Sequence, residues 1–333
     1  VERGAALVLD PRTGEILASV SLPSFDPNVF IPSISYKNWD RYLKDIDIPL
    51  LNRVVKSYVP GAASLPLTSL AGIAAGVGDS KFTCEGRTIY GNNTMLCWIQ
   101  RQSNGKHGEL DMRSAFVLSC NCFWHQFGNA AGIEHIEAMS QRIGFGTRYG
   151  ILDDESPGLL PSPSWLEKNH PKEKWSAGFT ANTSIGLGFM LATPLQLAVL
   201  AATVGNSGKV PQPSLLKKAE ATAWRADLVY EGLDVPQLET LRDAMRLVVN
   251  SDNGTGKAAR SERVVIAGRT ATAQNWRIVD KKRVEDNHAW FIGFAPFEKP
   301  TLAFVILKEG GKSGGGACAP IAKRIVEESL ALP

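Results

Sequence analysis

The stretch Tyr58-Val-Pro-Gly-Ala-Ala-Ser-Leu-Pro-Leu67 combines a tight turn with the start of an apolar helix. Pro60-Gly61 is a turn signal, because proline presets one backbone angle and glycine accepts left-handed conformations. After this turn the apolar residues recur at helical spacing, so we predict a mostly buried helix over residues 62–76. The turn also fixes the register of that helix. Ala62 and Leu65, three residues apart, fall on the same face.

The composition is that of an ordinary globular protein. The 333 residues suffice for one large domain or two smaller ones. With 36 basic and 33 acidic residues the net charge is +3, which is too balanced to predict binding to nucleic acid or to an anionic membrane surface. No run of 18 apolar residues and no signal peptide are visible. Because an apolar strand begins within five residues of Val1, we expect a domain excised from a longer protein.

The cysteines do not form a dense disulfide framework; they are Cys84, Cys97, Cys120, Cys122 and Cys318. Since no group of cysteines and histidines has the linear spacing of zinc ligands, the sequence predicts neither a metal site nor a cofactor. Cys84 and Cys97 flank a short polar loop and are the best disulfide candidates in an oxidising compartment. Two buried thiols are the alternative. Cys120 and Cys122 are poor partners for each other, because two residues apart on a helix they point to different sides.

The predicted elements follow the order hairpin, helix, long helical insert, helix, three strands, helix. Residues 5–20 form the hairpin, and the strand candidates are 264–274, 289–294 and 302–307. Near the end of the insert, Thr193 and Pro194 have the pattern of a helix N-cap and first turn. Short turns between consecutive strands indicate antiparallel pairing. We therefore predict a multidomain α/β fold, in which an antiparallel sheet is flanked by helices and accompanied by an all-α lobe.

Three short motifs stand in the order of a serine acyl-transfer site that uses S-x-x-K, S-x-N and K-T-G. The turn at Pro60-Gly61 places Ala62 at the serine position and Leu65 at the lysine position. Alanine has no oxygen to acylate, and leucine carries no proton. The second motif stands as Ser119-Cys-Asn121, and the third reads Arg269-Thr-Ala271. Ser64 is a poor substitute nucleophile, because it lies about 200° around the helix from Ala62.

With the segments around them, these motifs resemble the transpeptidase domain of the class B penicillin-binding proteins, the elongation-type peptidoglycan DD-transpeptidases. The similar segments extend over nearly the whole chain; they are Asp10–Leu17, Pro49–Arg53, Gly105–Gly108, Ser184–Gly188, Thr193–Gln196, Ala267–Gln274 and His288–Pro296. The resemblance implies the penicillin-binding protein and serine β-lactamase-like fold. It implies one transpeptidase-like domain over residues 1–333, with a sheet lobe at 1–76 and 206–333 and a helical lobe at 77–205.

The resemblance also implies a place in the cell. We expect an N-terminal membrane anchor and a pedestal domain outside this sequence, and a location at the periplasmic face of the bacterial cytoplasmic membrane. Expected partners are proteins of cell-wall elongation or another penicillin-binding protein, and the stem peptide of peptidoglycan is an expected ligand.

Six residues of the altered site stand at positions that bind the ligand in that family; they are Ser119, Asn121, Arg269, Thr270, Ala271 and Thr272. The resemblance implies that the serine relays protons, that the asparagine binds the substrate backbone, and that the cation and hydroxyl on the strand suit a carboxylate. Arg269 keeps the charge of a lysine in a planar fork. Ala271 adds a methyl group where a bound peptide would pair with the strand. The alternative is that these polar groups satisfy nearby backbone or face water.

Changes at both ends of the site, at Ala62, Leu65, Arg269 and Ala271, lead us to predict a pseudo-transpeptidase. In this interpretation the chain is not an enzyme, and it acts as a scaffold or regulator in peptidoglycan synthesis. Three alternatives stay open. The chain is a non-covalent sensor of stem peptides or β-lactams, a DD-transpeptidase that works through non-standard residues, or an engineered inactive form of such an enzyme.

Overall fold

The computed structural model describes residues 2–217, 224–279 and 281–331. In chain order its α-helices are α1 (Tyr36–Lys44), α2 (Leu65–Ala74), α3 (Trp98–Ser103), α4 (Met112–Leu118), α5 (Asn121–Ala131), α6 (Ile133–Ile143), α7 (Pro163–Asn169), α8 (Ala177–Ser184), α9 (Pro194–Gly205), α10 (Val235–Asn250), α11 (Gly314–Ala317) and α12 (Ala319–Ser329). Its strands are β1 (Gly4–Leu9), β2 (Ile16–Leu22), β3 (Phe82–Cys84), β4 (Arg87–Tyr90), β5 (Asn93–Leu96), β6 (Gly108–Leu110), β7 (Lys209–Pro211), β8 (Trp224–Asp227), β9 (Ala267–Ala273), β10 (Trp276–Val279), β11 (Lys282–Glu285), β12 (His288–Ala295) and β13 (Leu302–Glu309). None of these helices is long and apolar enough to cross a bilayer.

The central sheet has five antiparallel strands in the order β2-β1-β13-β12-β9. The predicted hairpin over residues 5–20 is confirmed, since β1 and β2 pair with each other. The three predicted strands correspond to β9, β12 and β13. Within residues 2–217, 224–279 and 281–331, β9 pairs only with β12 in this sheet, so no described strand occupies its outer edge. The prediction of an antiparallel sheet flanked by helices is confirmed.

Both faces of the sheet are covered at its middle, as the alternation along β13 shows. Ala303, Val305 and Leu307 belong to one buried cluster, whereas Leu302, Phe304 and Ile306 belong to another. Successive strand residues point to opposite faces, so each cluster lies on its own side of the sheet. Helices α9 and α10 pack on the first side and α12 on the second. A strand covered on both faces reads as a continuous apolar run, which is why β12 and β13 were recognisable in the sequence.

Helix α9 is buried along its whole length, from Pro194 to Gly205. It contacts the sheet on one side and helices α2 and α6 on the other, and a helix with apolar residues all round is typical of such an interior position. Its predicted start is confirmed. The Gln196 backbone N–H donates to Thr193 Oγ1 (3.1 Å), and the Thr193 backbone N–H donates to the Gln196 side chain (2.9 Å). The division into two lobes at residues 76 and 206 stays a prediction.

The helical segments differ from the prediction in three places. The helix predicted over 62–76 begins as a 3-10 turn at Gly61–Ser64 before α2. The pattern of residues 111–127 predicts a single helix, but Ser119 has a left-handed backbone with φ 54° and separates α4 from α5. Residues 77–205 also contain the short strands β3 to β6, which pair as β3 with β6 and β4 with β5. Strands this short show too little periodicity to be recognised in a sequence.

His125 on α5 gives the fold a predictable sensitivity to acid. The ring is buried, and its Nδ1 lies 2.8 Å from Thr88 Oγ1. Burial lowers its pKa to about 4, whereas an unfolded histidine protonates near pH 6.5. Between these values the unfolded chain binds a proton that the folded chain does not, so stability falls as the pH falls. We expect this residue to lower the free energy of unfolding by about 3 kcal/mol between pH 7 and pH 4.

Urea unfolding at both pH values measures this contribution, with His125→Gln as the variant that lacks it. His135→Gln, which removes an exposed histidine from α6, is the matched control and should keep the full acid sensitivity. An acid sensitivity as large in His125→Gln as in the parent chain contradicts the prediction.

Candidate functional site

The turn at Pro60 and Gly61 is clamped to the segment that follows α8. Gly61 has φ 53°, a left-handed conformation that favours glycine. Its backbone N–H donates to the carbonyl of Gly186 (3.0 Å). Position 186 also requires glycine, because a Cβ there would lie 2.2 Å from the Gly61 carbonyl oxygen. The two segments therefore sit in direct backbone contact, and this contact fixes the position of Ala62.

A groove of about 890 Å³ lies between β9 and the helical segments. Both altered positions of the first motif, Ala62 and Leu65, line it. So do five of the six residues predicted to bind a ligand; these are Ser119, Asn121, Thr270, Ala271 and Thr272. The structure thus brings together three motifs that are far apart in sequence, and the groove is open beside Ala62.

Ser64 does not take part in this groove. Its side chain is fully buried, and its Oγ donates a hydrogen bond to the Gly61 carbonyl (2.9 Å). A hydroxyl held in this way is not available to a molecule in the groove, so Ser64 does not replace the residue missing at Ala62.

Arg269 lies beneath the groove and does not line it. The guanidinium donates from Nε to the Ala62 carbonyl (3.1 Å), from Nη1 to the Phe116 carbonyl and from Nη2 to Ser119 Oγ. Among the residues that the structure describes, no carboxylate lies within 4.0 Å of this cation. Burial lowers its pKa to about 9. The cation expected at the strand surface is therefore held under the floor of the groove, where it joins the first motif to the second.

Ser119 is the hydroxyl that this cation reaches. Its left-handed backbone ends α4 and leaves the residue on the groove wall. A hydrogen bond from a charged donor is about twice as strong as a neutral one, and it favours negative charge on the acceptor oxygen. The pair of Ser119 and Arg269 therefore places a hydroxyl with a built-in cationic donor at the groove.

On the strand side, further hydroxyls meet at β9. Thr270 Oγ1 lies 2.6 Å from Thr255 Oγ1, and Thr272 Oγ1 accepts a hydrogen bond from the backbone of Gly314 (3.3 Å). The glycine-rich sequence of residues 310–316 predicts a flexible loop. In the structure Gly314 begins α11, which packs on β9 and lines the groove. Position 314 has no room for a side chain, since a Cβ would lie 2.2 Å from the Trp290 carbonyl oxygen. Nothing in the sequence marked Thr255 as part of this site.

Behind the helical wall of the groove lies a cluster of sulfur and nitrogen donors. The ligand atoms of Cys84, Cys97, His107 and Cys120 all lie within 4.8 Å of one another. Cys84 Sγ and Cys97 Sγ are each 3.6 Å from His107 Nδ1. Hydrogen bonds from the thiol of Cys120 and then that of Cys122 lower the pKa of Cys97, and the hydrogen bond to Cys97 raises that of His107. Of the two alternatives for Cys84 and Cys97, the structure has free thiols.

Three thiolates and one imidazole are a donor set that suits a tetrahedral Zn²⁺ ion. The sequence did not reveal this set, because its members come from separate elements. Cys84 ends β3, Cys97 caps α3, His107 precedes β6 and Cys120 caps α5. No linear motif has that spacing. The cluster borders the groove, since Trp98 and Ser119, which follow and precede two of the cysteines, both line it.

Comparison with known proteins gives consistent matches along the chain. The family model "Penicillin binding protein transpeptidase domain" matches residues 4–327. The peptidoglycan D,D-transpeptidase MrdA of Acinetobacter baumannii is 34% identical over 342 residues, which cover 98% of this chain and 50% of that protein. The chain thus spans about half the length of this curated relative.

Two solved structures are similar over nearly the whole chain. The first is Pseudomonas aeruginosa PBP2 in complex with WCK 5153, with a TM-score of 0.88 at 33% identity, covering 99% of this chain and 74% of that one. The second is Helicobacter pylori PBP2 in a complex with MreC, with a TM-score of 0.85 at 28% identity, covering 99% of this chain and 61% of that one.

These matches contradict the prediction of a catalytically inactive pseudo-transpeptidase, which is therefore wrong. The similar curated protein is named as a peptidoglycan D,D-transpeptidase, and the similarity extends over 98% of the chain. That prediction gave too much weight to single motif positions such as Ala62 and Leu65. The groove beside them is open, and it presents a hydroxyl hydrogen-bonded to a cation.

Replacement of Arg269 should lower stability strongly. In Arg269→Met, the acceptors on Ala62, Phe116 and Ser119 lose their donors in a buried site. Removing the desolvated cation offsets part of that loss, so we expect a net decrease of about 3 kcal/mol in the free energy of unfolding. Urea unfolding measures it, and Arg263→Met, at an exposed position, should change stability by less than about 0.5 kcal/mol. Equal effects of the two substitutions would rule out this role for Arg269.

The donor cluster predicts a bound metal. Chain purified without chelators should contain about one zinc ion per molecule by elemental analysis. Cys97→Ser should lose that zinc. Cys318→Ser is the matched control, because Cys318 is also buried but donates to the Ala289 carbonyl (3.3 Å) away from the cluster. Metal-free parent protein, or equal zinc content in Cys97→Ser, would show that the cluster does not bind zinc.

Proposed function

Because the chain belongs to the penicillin-binding protein transpeptidase family, in its class B PBP2 and MrdA type, we propose that it acts as a peptidoglycan D,D-transpeptidase. The observation that carries this proposal is the open groove in which the Ser119 hydroxyl contacts the buried cation of Arg269. Acyl transfer by a serine needs a hydroxyl that is activated for attack. Ser119 supplies the hydroxyl, and the cationic donor of Arg269 favours negative charge on its oxygen.

The proposed substrate is a peptidoglycan stem peptide that ends in D-Ala-D-Ala. The free edge of β9 suits an extended peptide, because unpaired backbone groups of an edge strand can hydrogen-bond to a strand added alongside. The hydroxyls of Thr270 and Thr272 at this edge suit the terminal carboxylate, and Asn121 faces the groove from the opposite wall. Ala271, between the two threonines, also lines the groove.

In the proposed reaction Ser119 Oγ attacks the carbonyl carbon of the penultimate D-Ala. A new ester bond forms to Ser119, the amide bond to the terminal D-Ala breaks, and the serine proton leaves on the amine of the released D-Ala. The amine of a second stem peptide then attacks the ester, which forms the cross-link and returns a proton to Ser119. Arg269 donates to Ser119 Oγ and so stabilises the alkoxide in both steps. Ala62 and Leu65 shape the groove and exchange no proton.

For the cellular setting we propose the periplasmic face of the cytoplasmic membrane and a partner among the proteins of cell-wall elongation. The support is that the similar Helicobacter pylori protein was solved in a complex with MreC. The expected membrane anchor and pedestal would belong to a longer protein, which fits the half-length match to the curated relative.

Exposure to a fluorescent penicillin tests the chemistry. We expect a covalent adduct, visible as the mass of one penicillin added to the intact chain, with the label on the peptide that contains Ser119. Ser119→Gly should abolish it, because glycine removes the hydroxyl and suits the left-handed backbone at this position. Ser64→Ala removes a buried hydroxyl outside the groove and should retain labelling.

The absence of any adduct on the parent chain would contradict covalent transpeptidase chemistry. Labelling that persists in Ser119→Gly would contradict the role assigned to this serine and would direct attention to the threonines of β9. Unfolding curves for both variants show whether a loss of labelling reflects the missing hydroxyl or a loss of folded protein.

A further inference from the structure

The groove is almost free of charged side chains. Within the described residues, Arg101 is the only charged residue that lines it. The side chain is exposed, and no described carboxylate lies within 4.0 Å of it. Arg269 is not available to a ligand in the groove, since it lies below the groove floor and donates to three protein acceptors. Among the residues described by the structure, Arg101 on the helical wall is thus the one accessible cation of the groove.

This cation stands on a firmly positioned helix. Trp98 and Arg101 are three residues apart on α3, so they share a face, and both line the groove. Trp98 Nε1 donates to the Leu118 carbonyl (3.0 Å), and its ring lies 5.4 Å from that of His107. Cys97, a member of the donor cluster, caps the same helix. The base of Arg101 is therefore fixed, while its guanidinium remains free for a ligand.

We propose that Arg101 selects stem peptides that carry a free carboxylate upstream of the D-Ala-D-Ala end. This inference rests on the proposed function. In that function the terminal carboxylate faces the hydroxyls of Thr270 and Thr272 on β9, which leaves Arg101, on the opposite wall, for a second carboxylate. A guanidinium fork binds a carboxylate through two parallel hydrogen bonds. Inside a groove such a pair is less screened by solvent than on an open surface.

Two matched pentapeptides test the inference. One is acetyl-L-Ala-γ-D-Glu-L-Lys-D-Ala-D-Ala, with a free α-carboxylate on its glutamate. The other carries D-isoglutamine at that position and differs only in having a carboxamide there. Calorimetric titration of the whole chain should give about fivefold to tenfold tighter binding of the acid than of the amide.

Arg101→Gln should bind the two peptides equally, with the affinity of the parent chain for the amide. Arg324→Gln, on the exposed face of α12 and outside the groove, should keep the preference for the acid. Equal binding of both peptides by the parent chain would overturn the selection by Arg101 and leave the proposed function standing. Binding of neither peptide would count against the proposed function itself. A preference for the acid that survives in Arg101→Gln would assign the recognition to another group.

Discussion

The hydrogen bonds of the buried Arg269 hold the groove together. They connect β9 with the turn at Ala62 and with the end of α4, where Phe116 and Ser119 accept the other two bonds. A buried cation without a carboxylate partner is costly, and only a complete set of acceptors reduces that cost. The position of Ser119, with its left-handed backbone, is therefore tied to the same residue that donates a hydrogen bond to its hydroxyl. The structure of the groove and the proposed chemistry therefore both depend on the side chain of Arg269.

Much of the fold was predictable from the sequence, because hydrophobic patterns and helix caps involve residues that are close together in the chain. The inner strands β1, β12 and β13 are covered on both faces, so their sequences read as apolar runs, and Thr193 and Pro194 marked the start of α9. The break at Ser119 had no such signal. It exists because tertiary contacts hold this residue in a conformation that serine rarely adopts by itself. The short strands of the helical segment, from β3 to β6, likewise depend on their partners rather than on their own periodicity.

The site was predictable in its location but not in its chemistry. The positions of the three motifs indicated one groove, and the structure places them there. Reading them one at a time led to the wrong prediction of an inactive protein, because the contact between Ser119 and Arg269 joins residues 150 positions apart and is invisible in either motif. The sequence also did not predict the cluster around Cys97 and His107, because its members are far apart in the chain. Both features arise from chain topology, which linear spacing does not report.

The pairing of β1 with β13 has a consequence for how the chain comes to be folded. Leu7 lies opposite Val305, so the middle of the sheet joins segments from the two ends of the sequence. Such long-range closure is slow, because the entropy of a large loop is lost before the contacts form. During synthesis the hairpin of β1 and β2 must wait, with an unpaired apolar edge, until β13 has emerged. Until then the unpaired edge of β1 is a site where strands of other chains can bind and cause aggregation. The cell therefore has to protect this edge during synthesis.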